Sequence, residues 1–390
     1  MGNSELIYLD NAATSNYKPG PVLHAMIPFL TDYCANPSRG SHSLANRAAR
    51  MVFETRERLL TFFHASDDSE LIFTKNITES LNLVLKGLLK DGDHLVLSSM
   101  EHNSMMRPLK PLTDRSVNHT VVSCSQQNGL INIDDIERAI TPDTKLIAIN
   151  HASNVFGIVQ PIAEIGALCR KHNLLLLVDT AQTAGSMEIN MVELGIDLLA
   201  FTGHKGLQGP MGIGGLVINE RVNAQQFEPL MCGGTGSHSE YESQPDFFPD
   251  ALESGTPNLP GIAGLNAAVK WLQTTGIDNI QKKELKLCLR LIEGLQQIEG
   301  VTLFADDTEI ERVSVLSVQL DGIDNADAEE FLSNYYGICL RIGLHCSPRA
   351  HKTMGTFPEG TLRLSIGYHT TKQQIEQTIH AFSQLMKSKS

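Results

Sequence analysis

Two apolar runs end in side chains that could do chemistry together. LLLLVDTAQTAG carries Asp179 and Gln182, and LLAFTGHKGLQGPMGIGG carries Lys205. Each run reads as a buried parallel strand, and each delivers its polar residues just beyond its C-terminal end, where open α/β sheets place ligands. An amine and a carboxylate aimed into one crevice suit pyridoxal phosphate. Its aldehyde takes an amine, and its ring nitrogen takes a carboxylate that keeps it protonated as an electron sink. Thr202 and His204 precede Lys205, and flanking glycines let the backbone pass close to a flat ligand. Taken alone, Asp179 would serve equally well as a helix N-cap.

Further candidates surround this pair. In FTKNITESLNLVL a strand ends and a helix begins at Thr78 and Glu79. A helix N-terminus offers unpaired N–H groups and partial positive charge to a phosphate, although a plain capped helix would read the same way. His102 follows the strand HLVLSS and could stack on a pyridine face or simply start a helix. In RIGLHCSPRAHKT, Cys346 follows a strand beside His345 and near Arg341 and Lys352. A buried, inert thiol is one reading; a nucleophile among cations that lower its pKa is the other. Arg363 sits inside the strand TLRLSIG, where a guanidinium needs an anion such as a substrate carboxylate.

The elements that position these groups alternate. ELIFT, HLVLSS, KLIAIN, LLLLVDT and LLAFTGHK are interleaved with helical patterns, as in crossover units that build a mostly parallel sheet. The glycine-rich stretch at 206–216 leads into the strand GGLVIN rather than opening a helix, which argues against a dinucleotide loop. Residues 232–261 lack periodicity and read as a long loop and hinge. Helical patterns over about 262–299, the strands VSVLSVQL, ICLRIGL and TLRLSIG, a helix from about 325 and a closing helix from Thr371 then suggest a smaller α+β domain. The expected division is a large ligand-binding domain at 16–260 and a small domain made of 1–15 plus 261–390.

With 390 residues, 42% hydrophobic and 19% charged, the chain has the composition of a folded protein of two or three domains. A net charge of −13 argues against nucleic acid or anionic lipid as a partner. Apolar runs such as LLLLV fall far short of the ~20 residues of a membrane helix. The opening MGNSELIYLD has neither a basic run nor an apolar core, and Leu6 stands where a myristoylation signal takes Ser or Thr, so a cytoplasmic address is expected. Seven cysteines, with no C-x-x-C pair, read as reduced thiols. Histidines such as His42, His102 and His345 are scattered singly, so no metal centre is expected.

The ordered set YLDNAATS, NITES, MEHNS, HASNVFG, VDTAQTAG, FTGHKGLQGPMGIGG, ESGTPNLPG and RIGLHCSP resembles the signature of class V, fold type I pyridoxal phosphate enzymes, from about residue 7 to 370. Within that class it is most similar to the cysteine desulfurase and selenocysteine lyase family. The resemblance implies an α/β fold with a large, mostly parallel sheet of the seven-stranded type. It further implies that Lys205 carries the cofactor as an imine, Asp179 pairs with the ring nitrogen, Gln182 contacts the phenolic oxygen and His102 stacks on the ring. Ile77 (through its N–H), Thr78, Thr202 and His204 would hold the phosphate, with Thr256 reaching in from the other subunit of a homodimer. Asn154 would contact cofactor and substrate, Arg363 and Arg341 would bind the substrate carboxylate, and Cys346 would accept sulfur. Ile77 stands where many relatives have a second threonine, Thr202 replaces a frequent serine, and Thr180 replaces a common glycine; these departures bear on fine tuning.

The activity so implied is conversion of L-cysteine to L-alanine. Lys205 moves the α-proton, Cys346 attacks the substrate sulfur and keeps it as a persulfide, and His102 supplies a proton to the product. The short, proline-containing loop around Cys346 resembles the SUF-type group, which hands sulfur to a separate acceptor protein in pathways such as iron–sulfur cluster assembly. The alternatives are a selenocysteine lyase, another class V lyase or aminotransferase, or a non-catalytic sensor or scaffold on the same fold.

Overall fold

The structure, a computed structural model, describes residues 6–37 and 40–388. The reading of Met1–Glu5 and the last two residues of the expected small domain lie outside the described residues. The strands, in chain order, are β1 (Ile7–Tyr8), β2 (Glu70–Thr74), β3 (His94–Ser98), β4 (Asn118–Val122), β5 (Thr144–Asn150), β6 (Leu175–Asp179), β7 (Leu198–Thr202), β8 (Gly214–Ile218), β9 (Val301–Phe304), β10 (Val315–Leu320), β11 (Ile338–Cys339), β12 (Arg341–Gly343) and β13 (Thr361–Ser365).

Seven of them form one sheet in the order β2-β8-β7-β6-β5-β3-β4. Only β8 runs against its neighbours, pairing antiparallel with β2 and β7. The apolar runs of β3, β6, β7 and β8 are buried along their whole length, as strands covered on both faces must be. Alternation along β5 assigns the two faces: Ile147 and Ile149 enter one core, Leu146 and Ala148 the other. The fold is therefore the expected α/β class with a mostly parallel seven-stranded sheet. Among the described residues no helix is long and apolar enough to cross a membrane.

A second, antiparallel sheet has the order β12-β13-β10-β9. Its core joins Leu316, Val318, Leu362 and Leu364 to apolar positions of the helices Ile277–Gln296 and Lys372–Lys387. Ile7 and Leu9 enter the same core, because β1 pairs parallel with β11.

Three details depart from the sequence reading. The edge strand β4 went unrecognised because its HTVV segment is half-exposed and lacks a continuous apolar run. ICLRIGL is two strands rather than one: it breaks at Leu340, and its halves pair with β1 and β13 respectively. The helix Leu259–Thr275, expected in the smaller unit, inserts Ile262, Leu265, Val269 and Leu272 into a core of the large sheet.

The glycines in the motifs following β6 and β7 have a packing cause. Gly185 has φ +87°, and a Cβ there would lie 2.3 Å from the Gly206 carbonyl oxygen. A Cβ on Gly206 would in turn lie 2.6 Å from the Ala184 oxygen. The two loops touch backbone to backbone, which brings the Asp179 and Lys205 segments together. We expect Gly185→Ala to destabilise the protein by about 1–3 kcal/mol through strain and displacement, read by urea unfolding of the full chain. Unchanged stability would contradict this contact.

Candidate active site

The candidate residues leave one edge of the large sheet. In register, Thr74 lies opposite Gly214 and Gly214 opposite Thr202. Asp179 lies opposite Ala200 on one side and Asn150 on the other. The helix Ile77–Gly87, the Asp179 loop, the Lys205 loop and the turn to His102 therefore open onto a common crevice, as the carboxyl ends of parallel strands do.

Asp179 is buried, and its Oδ1 accepts one hydrogen bond, 2.9 Å from the Ala181 N–H. Burial raises its pKa, while the Ala181 N–H and the charge of Lys205 lower it. Among the described residues the Lys205 ammonium forms neither a hydrogen bond nor a salt bridge. Burial pulls it down to about 8, against the opposing pull of Asp179. Acid and amine thus influence each other without pairing. Gln182 lines a water-sized cavity of about 30 Å³ with Lys205 and donates to the Ala12 carbonyl at 3.1 Å.

On the phosphate side, Ile77 and Thr78 open a helix capped by Asn76, whose side chain accepts from the Glu79 N–H at 3.1 Å. Glu79 turns its carboxylate back onto the Lys75 N–H, away from the first-turn donors. Thr202 Oγ1 and His204 Nδ1 are buried and have no hydrogen-bond partner among the described residues. Buried polar atoms are normally satisfied, so these two mark a place for a polar ligand. An unpaired amine, a carboxylate with spare acceptor capacity and two unsatisfied groups beside a helix N-terminus fit pyridoxal phosphate. Among the described residues no cluster of side chains suits a metal ion.

Cys346 is exposed and shares a cavity of about 280 Å³ with Thr78 and His102. Both His345 (φ +47°) and Cys346 (φ +59°) hold left-handed backbone conformations that non-glycine residues rarely adopt. Asn154 secures the loop from both sides: its Nδ2 donates to the His345 carbonyl at 2.7 Å, and its Oδ1 accepts from Ser347 Oγ at 2.7 Å. The Asn103 N–H donates to the Cys346 carbonyl at 2.8 Å. The amide of Asn154, expected at the cofactor and substrate, is committed to the thiol loop.

The cations near Cys346 are not mainly those its sequence suggests: Lys86 and Arg107 line its cavity, and Arg363 interacts with it electrostatically. His345 turns inward beside His351 and is lowered to about 3 by burial and by Arg363, so it stays neutral. Lys352 lies over the ring of Phe357. His102 caps a short helix through Nδ1, which lies 2.7 Å from Ser104 Oγ. Burial and the charges of Lys205, Arg363 and Arg107 lower His102 to about 4, so it enters the site as a neutral ring.

Arg363 is buried and already has an anion. Its Nη2 donates to Asp10 Oδ1 at 2.8 Å and its Nη1 to the Asn154 carbonyl at 2.9 Å, while Nε has no partner among the described residues. Arg341 is exposed and lies directly opposite it in the β12–β13 register. Thr256 is exposed on a separate groove that also includes Glu79, away from the cavities lined by Lys205 and Cys346.

Sequence reasoning missed Asp10, although YLDNAATS contained it and Arg363 called for an anion. It also missed Glu101, a buried carboxyl that accepts from Ser98 Oγ at 2.5 Å and from the Asn150 N–H at 3.0 Å. Burial raises Glu101 to about 8.

Two outcomes follow from this geometry. Asn154→Ala strands two buried partners, so amide hydrogen exchange over residues 344–347 should rise about tenfold; unchanged protection would refute the anchoring role. Because only the neutral amine attacks an aldehyde, the rate at which Lys205 captures pyridoxal phosphate, followed by absorbance, should climb with pH and level off near 8. A climb that continues to the ordinary lysine range would show the amine to be fully solvated.

A family profile described as Aminotransferase class-V matches residues 7–378. A protein of Methanothermobacter thermautotrophicus named "Probable cysteine desulfurase" is 37% identical over 374 residues, which span 95% of this chain and 92% of that one. The solved apo structure of the cysteine desulfurase of Thermococcus onnurineus superposes with a TM-score of 0.90 at 34% identity, covering 98% of this chain and 95% of that chain. The cysteine desulfurase CsdA of Escherichia coli, in its S-sulfonic acid form, gives 0.85 at 28% identity over 98% and 94%. Matches that run almost end to end, on a chain whose unpaired amine and carboxylate leave the same sheet edge, place this protein in the class-V aminotransferase family.

Proposed function

We propose that the chain is a pyridoxal phosphate-dependent cysteine desulfurase that converts L-cysteine to L-alanine and retains the sulfur on Cys346. The observation that supports this most is the exposed Cys346 thiol, set by Asn154 and Asn103 into a cavity it shares with Thr78 and His102. A thiol so placed on a fold carrying an unpaired lysine and aspartate favours a sulfur-accepting role over simple transamination.

When bound, pyridoxal phosphate supplies an electron sink that weakens the bonds at the substrate α-carbon. The chain's own residues do the rest. Asp179 Oδ would keep the ring nitrogen protonated, and the neutral ring of His102, fixed by Ser104, would stack on the cofactor. Arg363, its Nη1 and Nη2 already held by the Asn154 carbonyl and Asp10, would meet the substrate carboxylate through Nε, which has no partner among the described residues. Lys205 Nζ, depressed toward neutrality, takes the α-proton as a base. Cys346 Sγ then attacks the substrate sulfur. The new S–S bond forms as the C–S bond breaks, the electron pair goes to carbon, and a proton completes L-alanine. Net, one thiol and one cysteine give one persulfide and one alanine, with no external oxidant.

The reading extends to the surroundings. A homodimer would let Thr256 of one subunit approach the phosphate of the other, which suits its exposure on a groove beside the Ile77–Gly87 helix. The short loop holding Cys346 suits transfer to a separate thiol acceptor of the SUF-type kind, in a cytoplasmic setting and in service of iron–sulfur assembly. Two structural units fit the two cores, with the N-terminal strand in the smaller unit and the changeover after the Leu259–Thr275 helix.

Mass spectrometry after exposure to L-cysteine should show about +32 Da, one sulfur atom, on the peptide containing Cys346. Cys346→Ala should abolish alanine release from L-cysteine. A variant that still turned over L-cysteine at the parent rate, with no persulfide on the parent protein, would refute the proposal. If that variant retained turnover of L-selenocysteine alone, the lyase alternative would gain.

A further inference from the structure

The segment after β1 runs as a strap between the two units. Asn11 Nδ2 donates to the Ser365 carbonyl at 2.9 Å, and Gln182 Nε2 donates to the Ala12 carbonyl at 3.1 Å. Farther along, four donors converge on one acceptor, the carbonyl oxygen of His204. They are the Ser15 N–H at 3.0 Å, Thr14 Oγ1 at 3.1 Å, Ser15 Oγ at 3.1 Å and Lys18 Nζ at 2.8 Å.

A carbonyl has two lone pairs, so the neutral donors of Thr14 and Ser15 already suffice to fix this peptide. What Lys18 adds is charge. Its ammonium meets only neutral acceptors, Ser15 Oγ at 2.6 Å and the His204 carbonyl, and it forms no salt bridge among the described residues. A cation desolvated without a carboxylate is unfavourable unless an anion stands nearby. Burial lowers Lys18 to about 8, and its charge helps hold the His204 ring neutral.

The unsatisfied groups beside the helix start, Thr202 Oγ1 and His204 Nδ1, are neutral; Lys75 turns toward Glu79 at 3.9 Å, and Lys86 and Arg107 line the cavity that Thr78 shares with Cys346. On the side of Thr202 and His204, a phosphate dianion would lack a formal counter-charge.

We propose that Lys18 is that counter-charge: a positioning residue that acts through His204 to retain the cofactor phosphate without touching it. The inference rests on the cofactor reading above.

Its test separates the phosphate from the rest of the ligand. Full-length apoprotein is titrated with pyridoxal phosphate and with pyridoxal, which lacks the phosphate, and uptake is followed by absorbance. Lys18→Gln keeps a donor to the His204 carbonyl but removes the charge. It should weaken pyridoxal phosphate about tenfold, the scale of a charge interaction in a partly buried site, and leave pyridoxal within about twofold. Lys18→Arg should restore most of the loss. Unchanged affinity in Lys18→Gln, equal weakening of both ligands, or equal loss in the Gln and Arg variants would overturn the role. Parent protein that took up neither ligand would instead overturn the cofactor reading itself.

Discussion

The structure is organised around two opposite charges that share a buried crevice and do not pair. Left to themselves, a carboxylate and an ammonium in low dielectric would close into an ion pair. Here Asp179 is fixed at the end of β6 by the Ala181 N–H, and Lys205 sits on the neighbouring loop without a partner among the described residues. The separation costs desolvation on both sides, visible as the raised Asp179 and the lowered Lys205. It persists because the rest of the fold holds both backbones: adjacent strands set the spacing, and Gly185 and Gly206 let the two loops meet without side chains between them. A flat ligand carrying an aldehyde at one end and a basic nitrogen at the other offers each charge the partner it lacks.

The smaller unit contributes at one remove. Its strand β13 carries Arg363, which is committed to Asp10 on the N-terminal strap and to the Asn154 carbonyl. Asn154 in turn holds the backbone on both sides of Cys346. One asparagine therefore connects the site expected for a substrate carboxylate to the loop expected to receive sulfur, and Asp10 connects both to the segment that fixes the peptide before Lys205. The groups of the site are set by a continuous set of hydrogen bonds rather than by separate local turns.

Much of this was legible in the sequence, for reasons that are themselves physical. The runs ending in Asp179 and Lys205 are continuous apolar strands, the pattern that buried parallel sheets impose, and the polar residues after them had to fall at the carboxyl edge. The helix start was legible at Thr78 and Glu79, one residue inside its observed start at Ile77; the Asn76 cap was not read. Tertiary pairing was not. Nothing in ICLRIGL announces that its halves join different partners, and HTVV is too exposed and too polar to declare β4. The direction of His345 was equally hidden: beside a cysteine it reads as a surface cation, but packing against His351 makes it a buried neutral ring. Asp10 was in view, yet only the fold brings it across to Arg363.

The central claim is that Lys205, and no other lysine, is the amine that takes the aldehyde. Borohydride reduction of the protein loaded with pyridoxal phosphate, followed by peptide mapping, tests it directly. The account predicts one pyridoxyl phosphate adduct per chain, on the peptide containing Lys205, and none on that peptide in Lys205→Ala. An adduct on Lys18 or on a surface lysine, with Lys205 unmodified, would contradict it.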